Sequence, residues 1–158
     1  MSLRVDQRAD TLPELEVYSK CIKLTSHTMS VCKIKENGST NNKHLVKRQI
    51  KVGEMLVNIV IQIGTNILEA NNKYVKENLN LKDRLQNYEK RLELQEEAKS
   101  LTYKVEHIIR VLHFDRPFAD STLTYWMELL TETRNLLVKW KQNDYSNYKK
   151  LLNNEGID

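Results

Sequence analysis

Glycine and proline are scarce: four and two among 158 residues, against ordinary usage of about 7% and about 5%. Sheets with many turns need both, so the shortage excludes most β architectures and favours a few long helices. Cysteine is equally sparse. Cys21 and Cys32 fall within one expected helix, a rise of roughly 16 Å apart that no disulfide spans, so reduced thiols are expected, as in the cytosol or nucleus. The opening MSLRVDQRADTLPELE has no apolar core and carries Asp6 and Asp10, which argues against a secretory signal or a mitochondrial transit peptide. The longest uncharged run, Met55 to Leu68, is short of the roughly 20 residues a bilayer requires. No membrane span is expected, and a cytoplasmic (cytoskeletal or spindle) or nuclear location is. Asn37-Gly38-Ser39 matches the glycosylation sequon but reads as a turn.

Chemical signatures are missing too. The chain has no P-loop, no G-x-G-x-x-G, no G-x-S-x-G and no H-E-x-x-H. Cys21, His27, Cys32 and His44 are spaced C-x5-H-x4-C-x11-H, unlike the usual zinc patterns. His107 and His113 read as surface or loop residues, and Glu96 and Glu97 as a solvated helix exterior. No low-complexity tract and no internal repeat stands out. The expectation is a protein that is not an enzyme, with no cofactor and no metal.

What is present is apolar helix. In residues 50–69 the polar positions Lys51, Glu54, Asn58, Gln62, Thr65 and Glu69 trace one narrow stripe at steps of three and four, which is helical and not the alternation of a strand. Ile50, Val52, Met55, Leu56, Val57, Ile59, Val60, Ile61, Ile63, Ile67 and Leu68 cover most of the circumference, and a helix apolar nearly all round must be buried nearly all round. Gly53 and Gly64 weaken it by roughly 1 kcal/mol each relative to alanine, so packing has to hold it; they also suit close approach of a neighbouring helix.

Around this segment the chain divides into a flexible N-terminus (1–11), a first helix (12–36), a long coiled-coil helix (42–113), a C-terminal helix (120–152) and a frayed tail (153–158). Thr11 and Glu14 form a capping box with Pro13 in the first turn. Leu15, Tyr18, Ile22, Met29 and Cys32 recur at heptad steps, with Thr25 as the polar exception. Gly38 closes that helix in the polar loop ENGSTNNK. Downstream, Ile67, Asn71, Tyr74, Asn78, Leu81, Leu85, Tyr88 and Leu92 keep strict heptad steps; a second seam, Leu94, Ala98, Leu101, Val105, Ile108 and Leu112, starts out of phase with it. Asn71 and Asn78 are either polar inserts that fix register or the site of a kink in EANNKYVKENLN. Pro117 ends the seam, and Asp120 or Ser121 caps a helix with Leu123, Trp126, Leu130, Leu137 and Trp140 on one face.

The expected fold is therefore all-α, an elongated coiled coil of about three helices with one very long central helix; the alternative is a four-helix bundle, if the long helix folds at Asn71–Asn72. In the elongated form two short helices cannot enclose the wide face, so partner subunits with coiled coils of their own are expected, in a hetero-oligomer rather than a homodimer. The expected interface is Met55, Ile59, Val60, Ile63 and Ile67 on the wide face, Leu81, Leu85, Leu92, Leu101 and Ile108 along the seam, and Trp126, Leu130 and Trp140 in the C-terminal helix. Residues 1–51 hold ten Lys or Arg against five acids. Lys43, Lys47 and Lys51, with Arg48 beside them, form a basic patch that suits a microtubule, a nucleic-acid backbone or another acidic surface. No aromatics interleave with these lysines, which disfavours base stacking and so nucleic acid; a merely solvated face is the plain alternative.

LLTETRNLLVKWKQND, residues 129–144, is similar to a late helix of the second subunit of augmin, the complex that recruits γ-tubulin to spindle microtubules. HIIRVLHFDRPFADSTLTYWMELL, residues 107–130, resembles the helix–loop–helix ending of the centromere protein H family, except that there the tryptophan precedes the acidic residues whereas Trp126 follows Asp115 and Asp120. These resemblances imply an architectural subunit of the spindle or, alternatively, of the inner kinetochore, and carry no functional residue across.

Overall fold

A computed structural model describes residues 13–32, 43–73, 75–76 and 79–154. Among the described residues the regular structure is entirely helical: α1 (Pro13–Cys32), α2 (Lys43–Asn71), α3 (Leu81–Asp115) and α4 (Asp120–Asn154). Each helix packs on its neighbour in sequence, and α4 returns to pack on α1. Side-chain contacts give the directions. Gln49 at the start of α2 reaches Asp115 at the end of α3, while Arg91 near the start of α3 reaches Ala70 near the end of α2; Lys20 pairs with Glu132 and Thr28 with Trp126. Successive helices are antiparallel, which makes a closed four-helix bundle of the up-down-up-down kind.

The expected single helix over 42–113 is thus two helices, and the fold at Asn71–Asn72 is the one the chain adopts. The reason lies in local hydrogen bonding. At the end of α2, Asn72 N donates to Leu68 O and Glu69 O, and Lys73 N to Ala70 O, the tightening of a helix that is stopping. Asn80 then starts α3 as its N-cap, with extended backbone (φ −67, ψ 158) and a side chain that accepts from Asp83 N at 2.8 Å. Asparagine side chains compete with the helix for backbone partners, so an Asn-rich stretch breaks a helix that its heptads would otherwise continue. The first helix is described to Cys32 and the C-terminal helix continues to Asn154. The expected capping residue Thr11, the loop at Gly38, the N-terminus 1–11 and tail residues 155–158 lie outside the described residues.

All four helices turn a heptad-spaced line inward: Val17, Cys21, Leu24 and Thr28 on α1; Leu56, Val60, Ile63, Ile67 and Ala70 on α2; Ala98, Val105 and Ile109 on α3; Trp126, Leu130, Leu137 and Trp140 on α4. On α3 this line begins Tyr88, Arg91, Gln95, Ala98, Thr102, in steps of three and four without interruption. The phase slip expected near residues 91–97 does not exist. It came from reading only apolar residues as inward, whereas Arg91 and Gln95 occupy core positions.

Asp144 of α4 makes that possible. Arg91 Nε and Nη2 donate to its two carboxylate oxygens at 2.8 and 3.1 Å, and Gln95 Nε2 donates to it at 2.6 Å. The remaining guanidinium nitrogen donates to Ala70 O and Lys73 O at the negative dipole end of α2, and the guanidinium lies 5.3 Å over the Trp140 ring. One side chain therefore ties α2, α3 and α4 together where α2 turns back.

Much of the wide apolar face of α2 is covered by α1 on one side and α3 on the other, while Met55 and Ile61 stay 43% and 48% exposed. Ile59, Val60, Ile63, Ile67, Ile108, Trp126, Leu130 and Trp140, expected to meet partner helices, are buried in the chain's own core, and Leu101 packs against it. The expectation that the chain cannot enclose this face followed from the straight rod and falls with it for the covered part.

Candidate interaction surfaces

α1 is apolar on two sides, and only one of them faces the core. Of the seam expected from the sequence, Ile22 and Met29 look outward, 50% and 52% exposed, Tyr18 and Cys32 pack against the core, and the Leu15 side chain lies outside the described residues. Opposite Ile22 and Met29 stand Ile61, 48% exposed, Thr65 and Leu68 of α2, and together they line a groove of about 450 Å³. Gly64 forms part of its wall; a Cβ there would sit 3.5 Å from Cys21 Sγ. At Gly53 the same helix pair is closer, and a Cβ would meet that of Cys32 at 3.3 Å. Both glycines mark the approach of α1, as expected of them. The groove carries no ionised side chain: burial pushes the Cys21 thiol up to about 11, which keeps it protonated at neutral pH.

The basic patch lies on another side. Lys47, Arg48 and Lys51 are exposed; Lys43 opens α2, its side chain outside the described residues. Lys51 faces Lys104 of α3 across a groove of about 440 Å³ that also holds Glu54, Met55, Asn58 and Gln62. Lys104 extends the patch, and nothing in the linear sequence could have found it, since only the α2–α3 hairpin brings it to Lys51. α3 also exposes Tyr103, His107, Arg110, Val111 and Phe114, Phe114 to 92%. Of the aromatics, Tyr103 is turned toward α4 rather than toward the lysines. Arg134 covers Tyr103 at 4.0 Å and pairs with Glu106 at 3.0 Å, while Arg110 pairs with the same carboxylate at 3.5 Å. The hydrogen bond from Arg134 holds that carboxyl below its ordinary 4.5.

Of the other expected interface residues, Met55 is 43% exposed beside Lys51, and Leu81, Leu85 and Leu92 are half-buried along α3. Cys21, His27 and Cys32 do not converge. Cys21 approaches Val60 O, Cys32 lies against Gly53, and His27 Nε2 donates to Thr122 O at 3.3 Å; the His44 side chain lies outside the described residues. Among the described residues no three His, Cys, Asp or Glu come together as a metal would need, and no helix is long and apolar enough to cross a membrane. No family model, no curated protein and no solved structure matches this chain.

Proposed function

We propose that this chain is a non-enzymatic interaction subunit of a multi-protein assembly, which docks an amphipathic helix of a partner chain in the α1–α2 groove. The observation that carries the reading is the heptad seam Tyr18, Ile22, Thr25, Met29 lining the groove. Heptad seams belong against another helix, and among the described residues Ile22 and Met29 of this one stay 50% and 52% exposed. From Tyr18 to Met29 the groove runs roughly 16 Å, about three helical turns, and its small residues Gly64, Thr25 and Ser26 leave room for a helix to sit low. The occupant would present apolar residues at i, i+3/i+4 and i+7 and keep its charges outward. The spindle form of this role, with an augmin-like or kinetochore assembly as the partner, rests on the sequence resemblances alone. Affinity capture from extract with wild-type protein and with Ile22→Glu/Ile61→Glu is the test. A helical partner retained by the first and lost by the second supports docking here; equal recovery by a folded variant refutes it.

A second reading has its own observation. Lys47, Arg48, Lys51 and Lys104 are exposed, and Lys51 and Lys104 face each other on the α2–α3 side. A line of exposed cations suits a nucleic-acid backbone, which it would track. In this reading the bundle is a self-sufficient binding module. Charge reversal at Lys47, Lys51 and Lys104 would abolish binding of a labelled oligonucleotide, and wild-type affinity would fall linearly with log salt; affinity indifferent to either would remove the reading.

A further inference from the structure

At the end of the bundle where α1 stops and α3 turns into α4 lies a cavity of about 510 Å³, distinct from both surfaces above. Its size is within the range of small-molecule sites. The walls come from four elements held by side-chain hydrogen bonds. His27 of α1 donates to Thr122 O of α4 at 3.3 Å. Gln49 of α2, itself buried, donates to Asp115 at the end of α3 at 3.3 Å. Phe118 N in the turn donates to His113 Nδ1 at 3.0 Å, and the Phe118 ring stacks on His113 and meets Trp126 edge-on. The cavity is therefore built before any occupant arrives.

Its chemistry is mixed in a directional way. Val31, Leu112, Pro117 and Phe118 supply apolar wall. The Cys32 thiol, pushed up to about 11 by burial, adds no charge. Arg116 is the cationic side chain in the lining and is exposed. The nearby Asp115 carboxylate is engaged by Gln49, and Asp120 lies on the solvent side at the start of α4. We infer that this cavity binds a small, largely apolar, planar molecule bearing one anionic group, its ring against Phe118 and Leu112 and its charge toward Arg116.

The probes are anilinonaphthalene sulfonate, which has this shape and charge, and uncharged phenylnaphthylamine, titrated into the isotope-labelled full chain while amide shifts are followed. Saturable binding of both is expected, with shifts at Val31, Gln49, Leu112 and Phe118. Arg116→Gln should weaken the sulfonate about fivefold, the size of one partly exposed ion pair, and leave the neutral probe unchanged. Ala119→Phe and Val31→Phe, each filling the cavity from a different wall, should abolish both. The inference is overturned by the absence of saturable binding, by undiminished binding in both filled variants, or by shifts confined to Tyr18–Met29 and Ile61–Leu68. The last outcome would place the probe in the α1–α2 groove, and Ile22→Glu/Ile61→Glu would then remove it.

Discussion

Arg91 and Asp144 each occupy a core position that would be costly for either alone. A buried ion pair adds little over well-packed apolar side chains, but removing one member strands a charge. Asp144→Ala is therefore expected to cost about 3–5 kcal/mol in urea unfolding. Arg91→Met with Asp144→Leu should recover part of that, short by about 1–3 kcal/mol because the buried Gln95 amide loses its acceptor and Lys73 O its donor. A single change that costs no more than a surface substitution would show that the pair is not a lock. Acid sensitivity is a second property of single residues. Hydrogen bonds from Lys141 hold the Glu96 carboxyl, and from Arg134 the Glu106 carboxyl, below 4.5. Because the folded values lie below the unfolded one, this stabilisation is complete above about pH 4.5 and is lost as pH falls through the folded values. The urea midpoint should drop as pH falls below the ordinary carboxylate value of 4.5, and Glu96→Gln/Glu106→Gln should flatten that drop. An unchanged profile would assign acid sensitivity to other groups.

The helices differ in how closely they approach, and α2 shows it twice along one edge. A methyl added at Gly64 makes an ordinary contact with Cys21 Sγ at 3.5 Å, so Gly64→Ala should gain the helix-propensity difference of about 0.5–1 kcal/mol, a rise of roughly 2–4 °C in Tm. At Gly53 the methyl would meet Cys32 Cβ at 3.3 Å, and the two carbons must part slightly. Gly53→Ala is expected to fall below Gly64→Ala, near neutral or destabilising. Equal gains in parallel thermal melts would mean that α1 yields freely at its C-terminal end, contrary to the packing described. The turn after α2 is also decided within the element. Asn72, Asn80 and Asp83 supply the side chains and backbone bonds that end one helix and begin the next, against heptads that run on through both.

Closing the bundle changes what substitutions in the whole molecule report. Ile59 and Ile63 belong to the shared core, so Ile59→Glu/Ile63→Glu should unfold the chain itself and lose the cooperative transition in circular dichroism, independently of any partner. Ile22 and Ile61 face the groove, and their replacement should leave the helical signal and the melt nearly intact while ending docking. A melt in which the first pair is tolerated would mean that α2 is not enclosed by its own chain. The division between core and groove is thus testable on the isolated protein before any partner is identified.

The helical class was legible in composition and periodicity, because few glycines and prolines and steps of three and four admit little else. So were the two glycines as points of close approach; the inward line of α1 was not, since Val17, Cys21, Leu24 and Thr28 are buried while Ile22 and Met29 of the expected seam are exposed. The inward line of α3 was not, because Arg91 and Gln95 look like surface residues until Asp144 stands opposite them, 53 residues from Arg91. Nor was Lys104 as a neighbour of Lys51. Local sequence sets which stretches are helical, since backbone hydrogen bonding and side-chain period are decided within a few residues. Which faces turn inward depends on where the chain folds back and on long-range pairing of polar groups. That choice buried one face of α2, left Ile22 and Met29 of α1 exposed, and was settled only when all four helices packed together.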